Sequence, residues 1–199
     1  MARPREFDEA VILDATIERF WTRGYEATSV KDLVESTGIT APSLYNAYGD
    51  KRGVFLAAFD RYVENRLLER LRRCEALPPR QAIGLFFDEI LSRSLSDVEC
   101  KGCMLVNSAL ELAPHDPEFR ERVAGALARI ETFFLQCIDA GQVDGTVTRS
   151  QPAEILARHL LGVLMGVRVL ARVRPERTLL EGVIVPALGL LAPLEGESV

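Results

Sequence analysis

Between Thr28 and Lys51 the chain gathers side chains suited to gripping a nucleic-acid backbone and reading a base edge. Thr28, Ser29, Thr40 and Ser43 offer hydroxyls, Tyr45 a phenol and Lys51 a cation. Groups of these kinds hold phosphates, which fix register, whereas contacts to base edges carry sequence information. Asn46 is the candidate for a base edge, because an amide can pair bidentately with adenine. Ala41 lies among them and offers only a methyl group. Capping is the competing role for Thr28 and Thr40, since such hydroxyls also satisfy the first N–H groups of helices. Tyr45 has the alternative of a half-buried aromatic. Arg3 and Arg5 precede the first helical pattern, within reach of a backbone or minor groove.

A second group is Cys100-Lys101-Gly102-Cys103. Structural zinc takes four ligands, often from two such pairs. Here Cys74, Cys137, His115 and His159 are scattered, so no metal or other cofactor is expected. Thiol chemistry fits better: a helix N-terminus and Lys101 would both favour thiolate, making Cys100 and Cys103 candidates for redox sensing. The plain alternative is that Cys103 packs as a small hydrophobe before Met104-Leu105-Val106. The chain has no nucleophile elbow, phosphate-binding glycine loop or His-Glu metal helix, so an enzyme is not expected.

The elements that must position these groups read as helices throughout, and the expected fold class is all-α. Hydrophobic residues are 48% of 199, with no alternating strand pattern. One helix is predicted over Asp8 to Arg23, ended by Gly24. A short helix follows Thr28-Ser29 with Val30, Leu33 and Val34 inward, and another follows Thr40 with Leu44 and Tyr48 inward. Their turn at Gly38-Ile39 makes a helix-turn-helix. Further helices are predicted over Lys51–Glu75, Arg80–Ser96, Cys100–Leu112, Asp116–Ala140, Pro152–Ala171 and Leu179–Leu191. The predicted division falls near residue 50. Net charge is −5, and the first 52 residues carry more acidic than basic side chains. If the chain binds DNA, a few placed cations rather than bulk charge must hold it. The longest uncharged apolar stretch, Gly182 to Leu194, has 13 residues, short of the roughly 20 that span a membrane. With no secretory pattern at the start, a cytoplasmic protein is expected.

The stretch GYEATSVKDLVESTGITAPSLYNAYGDKRGVF, from Gly24 to Phe55, resembles the DNA-binding module of the tetracycline-repressor (TetR/AcrR) family. The matching pieces are Gly24-Tyr25, Thr28-Ser29-Val30, Leu33, Thr37-Gly38-Ile39, Ser43-Leu44-Tyr45, Tyr48 and Lys51. The resemblance implies a DNA-binding domain over 1–50 and a helical effector-binding and dimerisation domain over 51–199. It implies a homodimer, usually a repressor, that leaves double-stranded operator DNA when a small molecule enters a C-terminal cavity. Candidate cavity walls are Phe87, Met104, Asn107, Phe134, Cys137, His159 and Met165, with Glu111 a further polar group for orienting a ligand. The scarcity of cations there points to an apolar or cationic effector. The last two helices are too apolar to face water, and by resemblance they pair with their twofold mates. A small-molecule carrier without DNA binding is the alternative, but it leaves Thr28 to Lys51 without a purpose.

Overall fold

Side-chain caps set where the first four helices start. In the computed structural model, which describes residues 8–193, Asp8 opens α1 (Glu9–Arg23) by accepting the Ala10 N–H at 2.9 Å. Ser29 opens α2 (Val30–Thr37) through a reciprocal box. Its hydroxyl accepts the Asp32 N–H, and the Asp32 carboxylate accepts the Ser29 N–H. Thr40 opens α3 (Ala41–Tyr48) by accepting from Ser43, and Asp50 opens α4 (Lys51–Tyr62) by accepting from Gly53. Each cap satisfies a donor that the helix itself leaves unpaired. Gly38, with φ of +71°, closes α2 in the left-handed region and makes the turn to α3 short. Arg3 and Arg5 lie outside the described residues.

The predicted single helix over Lys51–Glu75 is interrupted. After α4 the backbone takes a π-helical turn at Val63–Leu68 before α5 (Glu69–Glu75). There follow α6 (Pro79–Ser96), α7 (Met104–Glu111), α8 (Pro117–Val143), α9 (Ala153–Val173) and α10 (Arg177–Gly189). No strand occurs among the described residues, and the fold is all-α. The helix predicted from Cys100 begins only at Met104, because Cys100 (φ +51°) and Gly102 (φ +71°) are both left-handed. A right-handed helix cannot run through such residues. No helix among the described residues is long and apolar enough to cross a membrane.

The chain divides into two units. The first takes the residues up to Arg66 together with Cys103–Arg120; the second takes Leu67–Gly102 and the residues from Glu121 on. This differs from a single cut near residue 50. In the first unit α4 packs on both α1 and α3, and α7 returns to pack on α4. Its core contains Ile12, Ile17, Phe20, Leu33, Leu44, Phe55 and Phe59. Phe20 meets Phe55 edge-on at 4.9 Å, and Phe119 meets Phe59 at 4.8 Å. Such pairs add about 0.5–1.5 kcal/mol beyond the area they bury.

Thr16 is fully buried in this core, and its hydroxyl has no hydrogen-bond partner. An unsatisfied buried polar group costs roughly 1–3 kcal/mol, and an apolar group of the same shape removes that cost. Thr16→Val is expected to raise stability by about 1 kcal/mol. Urea unfolding followed by the fluorescence of Trp21, the only tryptophan, reads this unit directly. A lowered midpoint would contradict the assignment.

In the second unit Phe86, Phe87, Phe133 and Phe134 are buried against one another, with Phe87 and Phe134 stacked at 5.7 Å and 6°. Here α6, α9 and α10 pack together. Buried Arg70 reaches the Glu89 carboxylate at 3.0 Å and lies over the Phe86 ring.

Candidate nucleic-acid interface

Leu33 and Leu44 are completely buried and pin one face each of α2 and α3 to the first unit's core. The opposite face of α3 is thereby turned outward. Pro42, Tyr45, Asn46 and Gly49 are all exposed, at the spacing that places them on one helical stripe. Thr40 is exposed at the N-terminal end of the same helix, while Ala41 and Ser43 are half-buried beside it. A short helix fixed from behind, with phenol, amide and hydroxyl groups outward, has the shape and chemistry of a reading helix in a major groove.

Ser29 and Thr40 act as caps and remain exposed, so capping and a phosphate contact are compatible there. The Thr40 and Ser43 hydroxyls lie 3.0 Å apart. Thr28 requires a correction. It is fully buried, and its hydroxyl donates to the Gly24 carbonyl at 2.7 Å, closing the turn between α1 and α2. It therefore presents nothing to a ligand outside the unit.

Lys51 is half-buried. Its ammonium donates to the Glu26 carbonyl at 3.3 Å and lies 4.4 Å from the centre of the Tyr25 ring. Lys51→Ala should therefore lower the stability of the first unit by about 0.5–1 kcal/mol, the usual size of a cation–π contact at the surface. Trp21 fluorescence in urea checks this, and an unchanged midpoint would show that the contact contributes nothing.

Other braces left no trace in local sequence. The Glu111 carboxylate accepts the Tyr25 N–H at 3.2 Å and the Glu26 N–H at 2.9 Å. The residue offered as a ligand-orienting group thus holds the turn before α2 instead. Arg52 grips Asp116 with two hydrogen bonds, at 2.6 and 3.0 Å, and Glu118 with one at 2.7 Å. The Arg52 guanidinium, aided by the Phe119 N–H, pulls the Asp116 carboxyl down to about 2. With the folded pKa depressed, this brace is fully present above the ordinary carboxylate range and is lost as pH falls towards 2. Arg23 and Arg61 are likewise paired, with Asp32 and Asp14. Lys31 is exposed on α2, 3.8 Å from Glu35.

Comparison with known proteins gives the same assignment. Residues 12–58 match the family described as bacterial regulatory proteins, tetR family. Residues 79–184 match the tetracyclin repressor-like C-terminal domain. The chain belongs to the TetR family.

This TetR-family chain is 33% identical over 196 residues to the uncharacterized HTH-type transcriptional regulator YezE of Bacillus subtilis (strain 168), covering 96% of this chain and 100% of that one. It is 31% identical over 172 residues to the HTH-type transcriptional repressor ComR of Escherichia coli (strain K12), covering 85% and 82%. Among solved structures, a cysteine mutant of the TetR family regulator CifR, complexed with 26 bp operator DNA, superposes with a TM-score of 0.82. That match has 31% identity and covers 94% of this chain and 98% of CifR. Like these relatives, the TetR-family chain is a transcriptional regulator and not an enzyme.

The seven candidate effector residues of this TetR-family chain are divided between the two units. Met104 and Asn107 belong to the first unit, and Phe87, Phe134, Cys137, His159 and Met165 to the second. Phe87 and Phe134 fill space against each other. Cys137 is buried, and burial pushes its thiol up to about 11. Met165 is half-buried, whereas His159 is exposed on the outer face of α9 rather than lining an interior wall. Since α9 is apolar on most sides, hydropathy did not tell its inner face from its outer. Cys103 is buried at the start of α7 with its sulfur 3.6 Å from the Tyr62 hydroxyl, and Cys100 is half-exposed in the preceding loop. Among the described residues no group of three or more His, Cys, Asp or Glu side chains is placed to hold a metal ion.

Proposed function

We propose that this TetR-family regulator acts in the cytoplasm as a homodimer that binds an approximately palindromic operator and represses transcription until a small-molecule effector releases it. The observation that carries the DNA reading is the exposed stripe of α3, held from behind by Leu44. Ser29, Thr40, Ser43, Tyr45 and Lys51 hold phosphates in this reading, with Ala41 against the groove and Asn46 at a base edge. The operator complex of CifR and the repressor description of ComR support the reading. The dimer is supported by α9 and α10, which leave Ile155, Val169, Val173 and Val185 exposed, with Leu190 exposed just beyond α10. A twofold axis through that face would set the spacing of two reading helices and hence the two operator half-sites.

Release is a shift between two dimer populations, and a near-complete shift needs differential affinity of about 5 kcal/mol. Selection of tight-binding duplexes from a random pool tests the whole reading: a palindromic consensus supports it, and no enrichment by effector-free, refolded protein sinks it. On the selected duplex, Asn46→Ala should cost about 1–3 kcal/mol and relax preference at one position of each half-site. Tyr45→Phe should weaken all sequences alike.

The second reading is redox release through Cys100 or Cys103. It is favoured by the close approach of the Cys103 sulfur to the Tyr62 hydroxyl, where α7 packs on α4. Peroxide would convert that thiol to a sulfenic acid with loss of water, placing an extra oxygen in the contact. Peroxide-induced loss of operator binding that disappears in Cys103→Ser would support it; a normal response in that variant would end it.

A further inference from the structure

The interior of the second unit is filled where α6 meets α8. Phe133 touches Phe86 and Phe134, with ring centres 5.6 and 5.5 Å apart. Phe133 also lines an open groove of about 410 Å³ between α5 and α8, a volume in the range of small-molecule sites. Leu68, Leu71 and Phe133 give it an apolar floor. Its rim is polar: Arg72 and Glu75 stand on α5, and Arg129, Thr132 and Gln136 on α8. The α8 residues recur at helical spacing and so form one continuous wall.

We propose that this groove is the effector site and that it takes a monoanionic amphiphile, an apolar body bearing one carboxylate. The effector role rests on the regulator reading above; the binding chemistry does not. Arg129, exposed on α8, is the cation with which a single carboxylate would pair. A dianionic head would also face Glu75, and an amine would be repelled by Arg129. A planar guanidinium fork pairs bidentately with a carboxylate. The Thr132 hydroxyl and Gln136 amide supply further donors beside Arg129. The apolar body then lies on Leu71 and Phe133, and Phe133 leads directly into the aromatic stack beneath Arg70. The chemistry is opposite in charge to that expected from composition, because the cations stand on the rim of a groove and not among the apolar candidates.

Calorimetric titration of the full chain with octanoate, octanol and octylamine tests the site. Octanoate should bind, octanol more weakly, and octylamine not at all. Arg129→Glu, at an exposed position, should weaken octanoate at least about tenfold, equivalent to about 1.4 kcal/mol. Thr132→Trp, which fills the groove from its exposed side, should remove binding without altering charge. No octanoate binding at millimolar concentration, equal binding of octylamine, or affinity unchanged in both variants overturns the site. Operator occupancy in the same samples separates the two readings. Octanoate should lower occupancy for the wild type and not for Thr132→Trp. Occupancy indifferent to bound octanoate overturns the effector role. Absence of any operator binding counts against the regulator reading, and calorimetry still decides the groove.

Discussion

Alanine at Gly53 is expected to break the joint between α3 and α4 and to abolish operator binding. Gly53 lies in the first turn of α4, its N–H held by the Asp50 carboxylate at 2.7 Å. A Cβ built at this position would overlap the carbonyl oxygen of Tyr48, the last residue of α3. That obstacle is backbone, so no side-chain rotation relieves it. Either α4 must lift away from α3, or the last turn of α3 must unwind. Overpacking of this kind costs about 3 kcal/mol, a large share of the 5–15 kcal/mol that typically holds a domain together. The sign is informative, because within an ordinary helix the same substitution would stabilise by about 1 kcal/mol. Urea unfolding at Trp21, with operator binding by fluorescence anisotropy, measures both effects. A variant as stable as the wild type would show that the helices can part there without loss.

A single glutamate at Val169 or Val185 is expected to yield a monomer at micromolar concentration that no longer holds the operator. These residues are 46% and 63% exposed, on the apolar outer faces of α9 and α10. In an isologous interface each substitution appears twice, so two carboxylates enter the same contact. An unpaired charge forced into such an interface costs about 3–5 kcal/mol, which weakens association by a hundredfold or more. Sedimentation velocity gives the oligomeric state, and circular dichroism shows that the helices persist. An intact dimer in both variants would move the interface away from α9 and α10.

The helix-turn-helix was legible because its signals are local: caps at Ser29 and Thr40, and a glycine between α2 and α3. The face of α3 followed from Leu44 and Tyr48, of which Leu44 is buried and Tyr48 half-buried. Thr28 was misplaced because moving a helix start by one residue turns a cap into a buried hydroxyl. His159 was misplaced because it stands beside the apolar positions Ile155, Gly162 and Gly166, away from the polar side of α9 that carries Glu154, Arg158 and Arg172. Gly53 and Glu111 could not be found by pattern: one matters through the backbone of a neighbouring helix, the other through N–H groups 86 and 85 residues earlier. The groove between α5 and α8 was hidden for the same reason, since no spacing within either helix reveals what the other places opposite.

The return of Cys103–Arg120 to the first unit bears on how such regulators can be recombined. A chimaera joined at residue 50 or 66 would leave behind Glu111, the acceptor for two N–H groups beside α2, and Phe119, which packs against Phe55 and Phe59. The helix-turn-helix unit of this chain is therefore not a portable N-terminal cassette. Transplanting it onto another effector body requires a discontinuous graft, with the α7 segment carried across in the same exchange.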